Sequence, residues 1–177
     1  MPYLRAAADT PFGAMPYGRT LRVSPYEKDA SAVAIYPGDF VTLETDGGLG
    51  VATTSQALIV GVAAEYSAAS TRKADFLVYD DPNQLFTIQD DSDTTGMTQA
   101  SIGTNADITV TTGDTTLLRS LHEIDSSTAA TTATLALKIV ALHPIEAGSF
   151  ATTTSQWRKW VVLINSHQLK GYETVGI

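Results

Sequence analysis

Residues 36–52 read Y-P-G-D-F-V-T-L-E-T-D-G-G-L-G-V-A, and this stretch decides the fold class. The P-G-D sequence at 37–39 predicts a turn, because proline presets φ, glycine accepts a positive φ and aspartate can bond its own backbone. Residues 40–44 then alternate with the two-residue period of a β-strand. The D-G-G sequence at 46–48 predicts a tight turn that returns the chain along residues 49–52. The stretch is therefore predicted to be a β-hairpin.

Three further β-rich runs follow the hairpin at short spacing. They cover residues 58–64, 76–79 and 85–89, and the D-D-P-N sequence at 80–83 is a strong turn signal. Short strands at intervals of about 8–12 residues, separated by turns, are typical of a small barrel or a sandwich. We therefore predict a mainly β fold.

The second half of the chain continues this pattern. Residues 117–124, 135–142 and 157–165 are predicted strands, although helix remains an alternative for the Leu/Ala-rich run 135–142. Residues 94–106 could hold one short helix that ends at Gly103. We expect at most one or two short helices in the whole chain.

Composition excludes several classes of protein. The chain has 177 residues, no Cys and a formal net charge of −8, so it has no disulfide scaffold, thiolate zinc site or Cys nucleophile. Residues 31–125 carry three Lys/Arg against fourteen Asp/Glu. This acidic middle argues against a nucleic-acid partner, because phosphate contacts come from Lys and Arg. No apolar run approaches the roughly 18 residues of a membrane span, and we recognise no signal peptide, so we expect synthesis in a cytoplasm and no membrane partner.

Residues 1–32 are predicted to form an extended N-terminal arm, followed by a β-barrel-like domain over residues 33–177. Four prolines and two glycines exclude a helix of any length in the arm, yet its large apolar residues are too many for a flexible linker. The arm either packs on its own domain or binds a neighbouring subunit, and its composition favours the second alternative. On that hypothesis a chain lacking residues 1–26 still folds but loses its partner. The proposed anchors are Tyr3, Leu4, Phe12, Tyr17 and Tyr26.

The histidines and the glycine-rich turn do not predict a catalytic site. His122, His143 and His167 share no metal-binding spacing, and a triad of His122 with Asp125 and a serine would lack a nucleophile-elbow sequence. The G-G-L-G sequence at 47–50 lacks the Lys and the following helix of a phosphate loop. We therefore predict no enzyme activity, no cofactor and no metal. Changing His122 or His143 to Ala should affect stability alone.

Two other motifs leave alternatives open. The D-D-S-D sequence at 90–93 has the carboxylate density of a calcium loop, but it lacks the Gly and terminal Glu of an EF-hand, so a solvated turn is favoured over a bound cation. The W-R-K-W sequence at 157–160 could stack on bases or sugars, although the start of an amphipathic strand is favoured.

Four segments resemble the head decoration, or cement, proteins of tailed bacteriophages. The similarity extends over residues 33–170 and rests on Y-P-G-D-F-V-T-L-E-T-D-G-G-L, I-V-G-V-A-A-E-Y, L-V-Y-D-D-P-N-Q-L-F-T-I-Q and K-W-V-V-L-I-N-S-H-Q-L. The resemblance implies a small β-barrel or β-tulip-like domain without catalytic residues. It also implies a homotrimer that binds the exterior of a phage head, on the shell built by the major capsid protein, after synthesis in the host cytoplasm.

Such a role is physically reasonable, because a protein that binds only the assembled shell stabilises that shell by mass action, and repetition over many sites lets each interface be modest. Two other classes remain. A receptor- or carbohydrate-binding β-module would need exposed aromatic residues beside Asp or Asn at one loop end. A small β-fold hydrolase would need a cluster of His, carboxylate and nucleophile.

Overall fold

A computed structural model describes residues 8–30, 33–54, 58–92, 96–146 and 156–170 of the chain. The strands found in these residues are β1 (Met15–Pro16), β2 (Ser24–Lys28), β3 (Phe40–Leu43), β4 (Leu49–Val51), β5 (Gly61–Ala63), β6 (Lys73–Tyr79), β7 (Leu85–Gln89), β8 (Asn105–Ala106), β9 (Ile108–Thr109), β10 (Glu123–Ile124), β11 (Leu137–Leu142) and β12 (Lys159–Ile164).

Five strands close into a barrel in the order β2-β4-β3-β5-β6. The hairpin predicted within residues 36–52 is present as β3 and β4, which pair antiparallel with Val41 opposite Val51. Strand β2 closes the barrel, because it pairs antiparallel with β6 and parallel with β4, where Lys28 lies opposite Leu49. Closure leaves no free sheet edge. The predicted mainly β fold with a small β-barrel is therefore confirmed.

A second, five-stranded sheet has the order β1-β7-β12-β11-β8 and is antiparallel throughout. Strands β9 and β10 form a separate two-stranded ribbon in which Ile108 lies opposite Ile124. The predicted runs 85–89, 135–142 and 157–165 thus supply the three central strands of this sheet.

Strand β3 lies between two hydrophobic cores. Successive side chains of a strand point to opposite faces, and both Phe40 and Val41 are fully buried. Val41 packs with Phe76 in the smaller core, whereas Phe40 packs with Phe86 and Trp160 in the larger one. The barrel wall therefore serves both cores, and the second sheet stabilises the barrel by covering one side of it.

Helix is limited to three single 3-10 turns in the described residues: Gln99–Ser101, Ser126–Thr128 and Pro144–Glu146. The first lies in the run 94–106, and Gly103 follows it with a φ of 86°.

The strand predicted over residues 117–124 is wrong except for its last two residues, which form β10. Residues 114–119 instead form a tight turn, closed by main-chain hydrogen bonds between Asp114 and Arg119. The reason is local. Asp114 Oδ1 accepts hydrogen bonds from the N–H groups of Thr116 and Leu117, at 2.8 and 3.0 Å, and so competes with a strand ladder.

The boundary predicted at residue 32 does not separate an arm from the barrel. Residues 24–28 are barrel strand β2, and residues 15–16 are edge strand β1 of the second sheet. The S-P-Y-E-K sequence of β2 alternates half-buried and exposed side chains before the buried Lys28, which is a strand pattern hidden between prolines and glycines.

Candidate partner-binding surface

Phe12 and Tyr17 flank β1 and pack against their own domain. Both are half-buried. The ammonium of Lys159 lies 5.6 Å from the centre of the Phe12 ring, and the Tyr17 ring meets His143 edge to face with 5.4 Å between centroids. Between them, Met15 lies opposite Thr87, on the sheet face that turns away from the core, and is 48% exposed. These three side chains form a partly apolar surface strip, which we call the β1 strip.

Tyr26 is part of the barrel. Its ring packs against the smaller core, and its hydroxyl donates a 2.8 Å hydrogen bond to Asp80 Oδ2. Burial, followed by the hydrogen bond to Asp80, raises the pKa of Tyr26 above its usual value. Tyr26 therefore has an intramolecular role in the barrel, although it is half-buried, as Phe12 and Tyr17 are. Tyr3 and Leu4 lie outside the described residues.

The turn at residues 37–39 connects the barrel to neighbouring segments. The N–H of Ser120 donates to Pro37 O at 3.0 Å, and the N–H of Ala14 donates to Gly38 O at 2.9 Å. Gly13 has a φ of 71° and approaches Ser120 so closely that a Cβ at this position would clash with the serine side chain. The N-terminal segment and the turn at 114–119 are therefore fixed against the same point of the barrel.

The turn at 114–119 carries two leucines to the surface. Leu117 is 60% exposed and Leu118 is 43% exposed, and Leu118 has a φ of 50°, which is uncommon for a residue other than glycine. Asp114 orders the turn from within, and Gly113 at its base packs directly against the ring of Tyr36. We call Leu117 and Leu118 the leucine tip. It is a pre-ordered apolar projection, the kind of feature that binds a partner with little loss of conformational entropy.

Sequence reasoning missed the leucine tip because L-L-R-S-L-H-E-I reads as a strand. The available signal lies just before it, in G-D-T-T at residues 113–116. A Gly-Asp pair followed by two Thr residues favours an aspartate-centred turn over a continued strand.

His122 lies in a buried polar cluster with Asp39 and Ser120. Its Nδ1 accepts a 3.2 Å hydrogen bond from the N–H of Phe40, and its Nε2 lies 3.3 Å from Asp39 Oδ1. Burial lowers the pKa of His122 to about 4 and raises that of Asp39 to about 6, so at neutral pH the imidazole is neutral and the carboxylate charged. Ser120 Oγ accepts from the backbone N–H of His122 and makes no bond to Nδ1. This cluster is not arranged to activate the serine as a nucleophile.

The acidic turn at 90–93 and the W-R-K-W sequence at 157–160 are joined by hydrogen bonds. Asp90 is fully buried and accepts hydrogen bonds from Ser92 Oγ at 2.6 Å, Arg158 N at 3.0 Å and Trp160 Nε1 at 2.9 Å. Asp91 accepts from Thr109 Oγ1 at 2.7 Å and from Ser126 N at 3.0 Å. These two carboxylates are therefore used by protein donors. Asp93 lies outside the described residues.

Other predicted chemical candidates are dispersed. Asp125, proposed as a partner of His122, instead accepts hydrogen bonds from the N–H and hydroxyl of Ser127. His167 is fully buried, and His143 packs on Tyr17. Within the described ranges no group of three or more His, Cys, Asp or Glu side chains is placed to bind a metal ion.

No protein-family model matches the chain, no curated protein is significantly similar to it in sequence, and no solved structure is significantly similar to it in fold. In the part of the chain that the structure describes, no helix is long and apolar enough to span a membrane.

Proposed function

We propose that this protein is a decoration, or cement, protein that binds the exterior of a tailed-phage head as a homotrimer. Its partner would be the major capsid protein, and it would hold neighbouring capsomers together. The leucine tip is the observation that supports a binding role best, because a rigid turn displays two adjacent leucines in solvent. The resemblance of residues 33–170 to decoration proteins supplies the particular partner, and the closed barrel agrees with the β-barrel domain which that resemblance implies.

The β1 strip supports a second contact region of the same kind. Phe12, Met15 and Tyr17 are partly exposed around a short edge strand, beside the cationic side chain of Lys159. Residues 31–125 are strongly acidic, so the leucine tip lies in a region whose other side chains favour solvation. Aromatic and methionine side chains, such as those of the β1 strip, are enriched at protein interfaces.

The experiment is a head-binding assay. Under the proposal, the protein copurifies with intact phage heads at a fixed ratio to the major capsid protein. Replacing the tip with Leu117→Ser and Leu118→Asn should reduce affinity about tenfold or more per buried leucine, since burying one leucine contributes about 1.5–3 kcal/mol. Asn is chosen at 118 because it tolerates a positive φ.

The matched control is Ile145→Ser, which also removes an exposed apolar side chain. This variant should bind heads as the unmodified chain does. If the tip variant folds and still saturates heads at the same concentration, the leucine tip is not the contact. If the unmodified protein does not associate with heads at all, the decoration role is refuted.

A further inference from the structure

One amide bridges two carboxylates where the N-terminal segment meets the domain. Gln89, at the end of β7, is almost fully buried. Its Nε2 donates to Glu123 Oε1 at 3.1 Å and to Asp9 Oδ1 at 3.2 Å, so both of its hydrogens are used. Glu123 belongs to β10 and is largely buried, whereas Asp9 is exposed. The two acidic side chains come from segments more than a hundred residues apart, and both accept a hydrogen bond from this amide.

The surroundings of Glu123 are strongly acidic. Asp90 and Asp91 follow Gln89 on the β7 side, and Asp125 follows β10. Two cations lie on this side. Lys159 of β12 lies opposite Gln89 in register and points its ammonium to the Phe12 ring, and the buried Arg158 precedes it, with its main-chain N–H bonded to Asp90. Burial, and next the negative charge of Asp9, raise the pKa of Glu123 to about 7, with smaller contributions from Asp91 and Asp90.

Movement at this point would be confined to the residues before Gly13. Ala14 is buried, and its N–H is bonded to Gly38 O. Beyond it, β1 is paired with β7. Residues 8–12 lack such main-chain pairing in the structure, and their described side-chain contacts to the domain are those of Asp9 and Phe12. Asp9 and Phe12 thus hold this short segment on the domain, and the Asp9 contact is the one that responds to charge.

We propose that Asp9, Gln89 and Glu123 form a proton-controlled latch that holds residues 8–12 on the domain while Glu123 is protonated and loosens them when Glu123 ionises. The sign follows from linkage. Because the charge of Asp9 raises the pKa of Glu123, loss of the proton from Glu123 must weaken the docking of Asp9 by the same free energy. The latch works within one chain and does not depend on the decoration role.

The size of the effect is measurable. Docking is strongest below the pKa of Glu123 and weakens as pH rises through it. Each unit by which docked Asp9 raises that pKa corresponds to about a tenfold change in the docking equilibrium.

The test uses the full chain and NMR at about pH 6 and about pH 8, on either side of the Glu123 pKa of about 7. The heteronuclear NOE of the amides of Ala8, Asp9 and Thr10 should fall at the higher pH. Glu123→Gln keeps an acceptor for Gln89 but cannot ionise, so the NOE of these amides should stay high at both pH values. Asp75→Asn, an exposed carboxyl on β6, should leave the wild-type response unchanged.

Asp9→Asn supplies an independent readout, because this exposed position does not threaten folding. The pKa of Glu123, followed through its side-chain carbon resonance, should be lower in this variant than in the unmodified chain. An unchanged Glu123 pKa would overturn the proposal. So would an equal pH response of the three amides in the unmodified chain and in Glu123→Gln.

Discussion

Lys28 is a fully buried lysine at the point where β2 meets β4. Its ammonium donates to the main-chain oxygens of Asp29, Ala68 and Thr71, at 3.3, 3.1 and 3.0 Å. The three N–H groups of the ammonium therefore bind three main-chain carbonyls at one end of the barrel. Two of these bonds hold the loop at 68–71 to strand β2, which closes the barrel. Burial lowers the pKa of this lysine.

We expect Lys28→Met to destabilise the protein by about 2–4 kcal/mol, because the apolar stem is kept while buried carbonyls lose their donor. Urea unfolding followed by circular dichroism would measure this change. Lys138→Met is the matched control, since Lys138 is exposed and makes one such bond, to Gly103 O, and the expected change is within about 0.5 kcal/mol. Equal effects of the two substitutions would show that the Lys28 bonds contribute nothing particular.

Sequence reasoning could not find Lys28 or the Asp90 cluster at the residue scale. A lone lysine in S-P-Y-E-K reads as a solvated side chain, and D-D-S-D reads as a solvated turn. Both are buried because distant segments provide their partners, the loop at 68–71 for Lys28 and strand β12 for Asp90. Such long-range pairing leaves no local spacing to detect.

At the scale of elements, strands with alternating or continuous apolar runs were predictable and the N-terminal strands were not. The runs at 85–89 and 157–165 contain β7 and β12, and the hairpin contains β3 and β4. Strands β8 and β9 are two residues each. Strand β8 lies at the end of the run 94–106, for which a short helix was predicted, and β9 begins a Thr-rich stretch that reads as a connection. Strand β2 is concealed by Pro25, which normally argues against a strand.

Strand β2 changes the expected result of truncation. Deleting residues 1–26 removes β1 and most of β2, and therefore opens the barrel and exposes its apolar interior. We expect this variant to lose cooperative thermal unfolding, in contrast to the folded domain that the sequence predicted.

A chain lacking only residues 1–7 is the control for this truncation. It keeps every described strand, and it should show a cooperative transition in a calorimetric scan. A cooperative transition in the longer deletion as well would mean that β2 is dispensable to the barrel.

At the scale of the whole molecule, four buried titratable groups have opposite effects on how the unfolding free energy depends on pH. Burial lowers the pKa of His122 and of His167 from 6.5 to about 4, so each stabilises the fold above pH 6.5, and this contribution is lost as pH falls towards 4. Burial raises the pKa of Asp39 from 3.8 to about 6 and that of Glu123 from 4.5 to about 7. These acids stabilise the fold at low pH and lose that contribution as pH rises through the raised values.

We therefore expect the unfolding free energy of the unmodified chain to change little between about pH 4.5 and 6.5. In this range the two histidines bind two protons in the unfolded chain, and the two acids bind two protons in the folded chain. Glu123→Gln removes one of the two acids that offset the histidines. In this variant the unfolding free energy should rise with pH over the same range, by up to about 1.4 kcal/mol per pH unit. Urea titrations at several pH values would measure it, and a flat profile in the variant would contradict the assignment.

The proposed homotrimer is also tested at the scale of the whole molecule. Under the proposal, multi-angle light scattering should report three times the chain mass of 18.8 kDa, the threefold state being the one that the resemblance to decoration proteins implies. The leucine-tip variant separates two cases. Loss of the trimer would place the tip between copies of this chain, and retention would leave it for the capsid. A monomer both free and on heads would refute the homotrimer.

The pairing of β1 and β2 with later strands has a consequence for synthesis on the ribosome. Both strands emerge early, but β6 and β7 end at Tyr79 and Gln89, and the second sheet is incomplete until β12 ends at Ile164. Strand β2 therefore cannot complete its pairing until residue 79 is synthesised, and β1 cannot pair until residue 89 is synthesised. Chains with such distant pairings fold in about milliseconds to seconds, and unpaired apolar strands are open to aggregation meanwhile. Expression at reduced temperature should raise the yield of folded protein, because hydrophobic association of the exposed strands weakens on cooling.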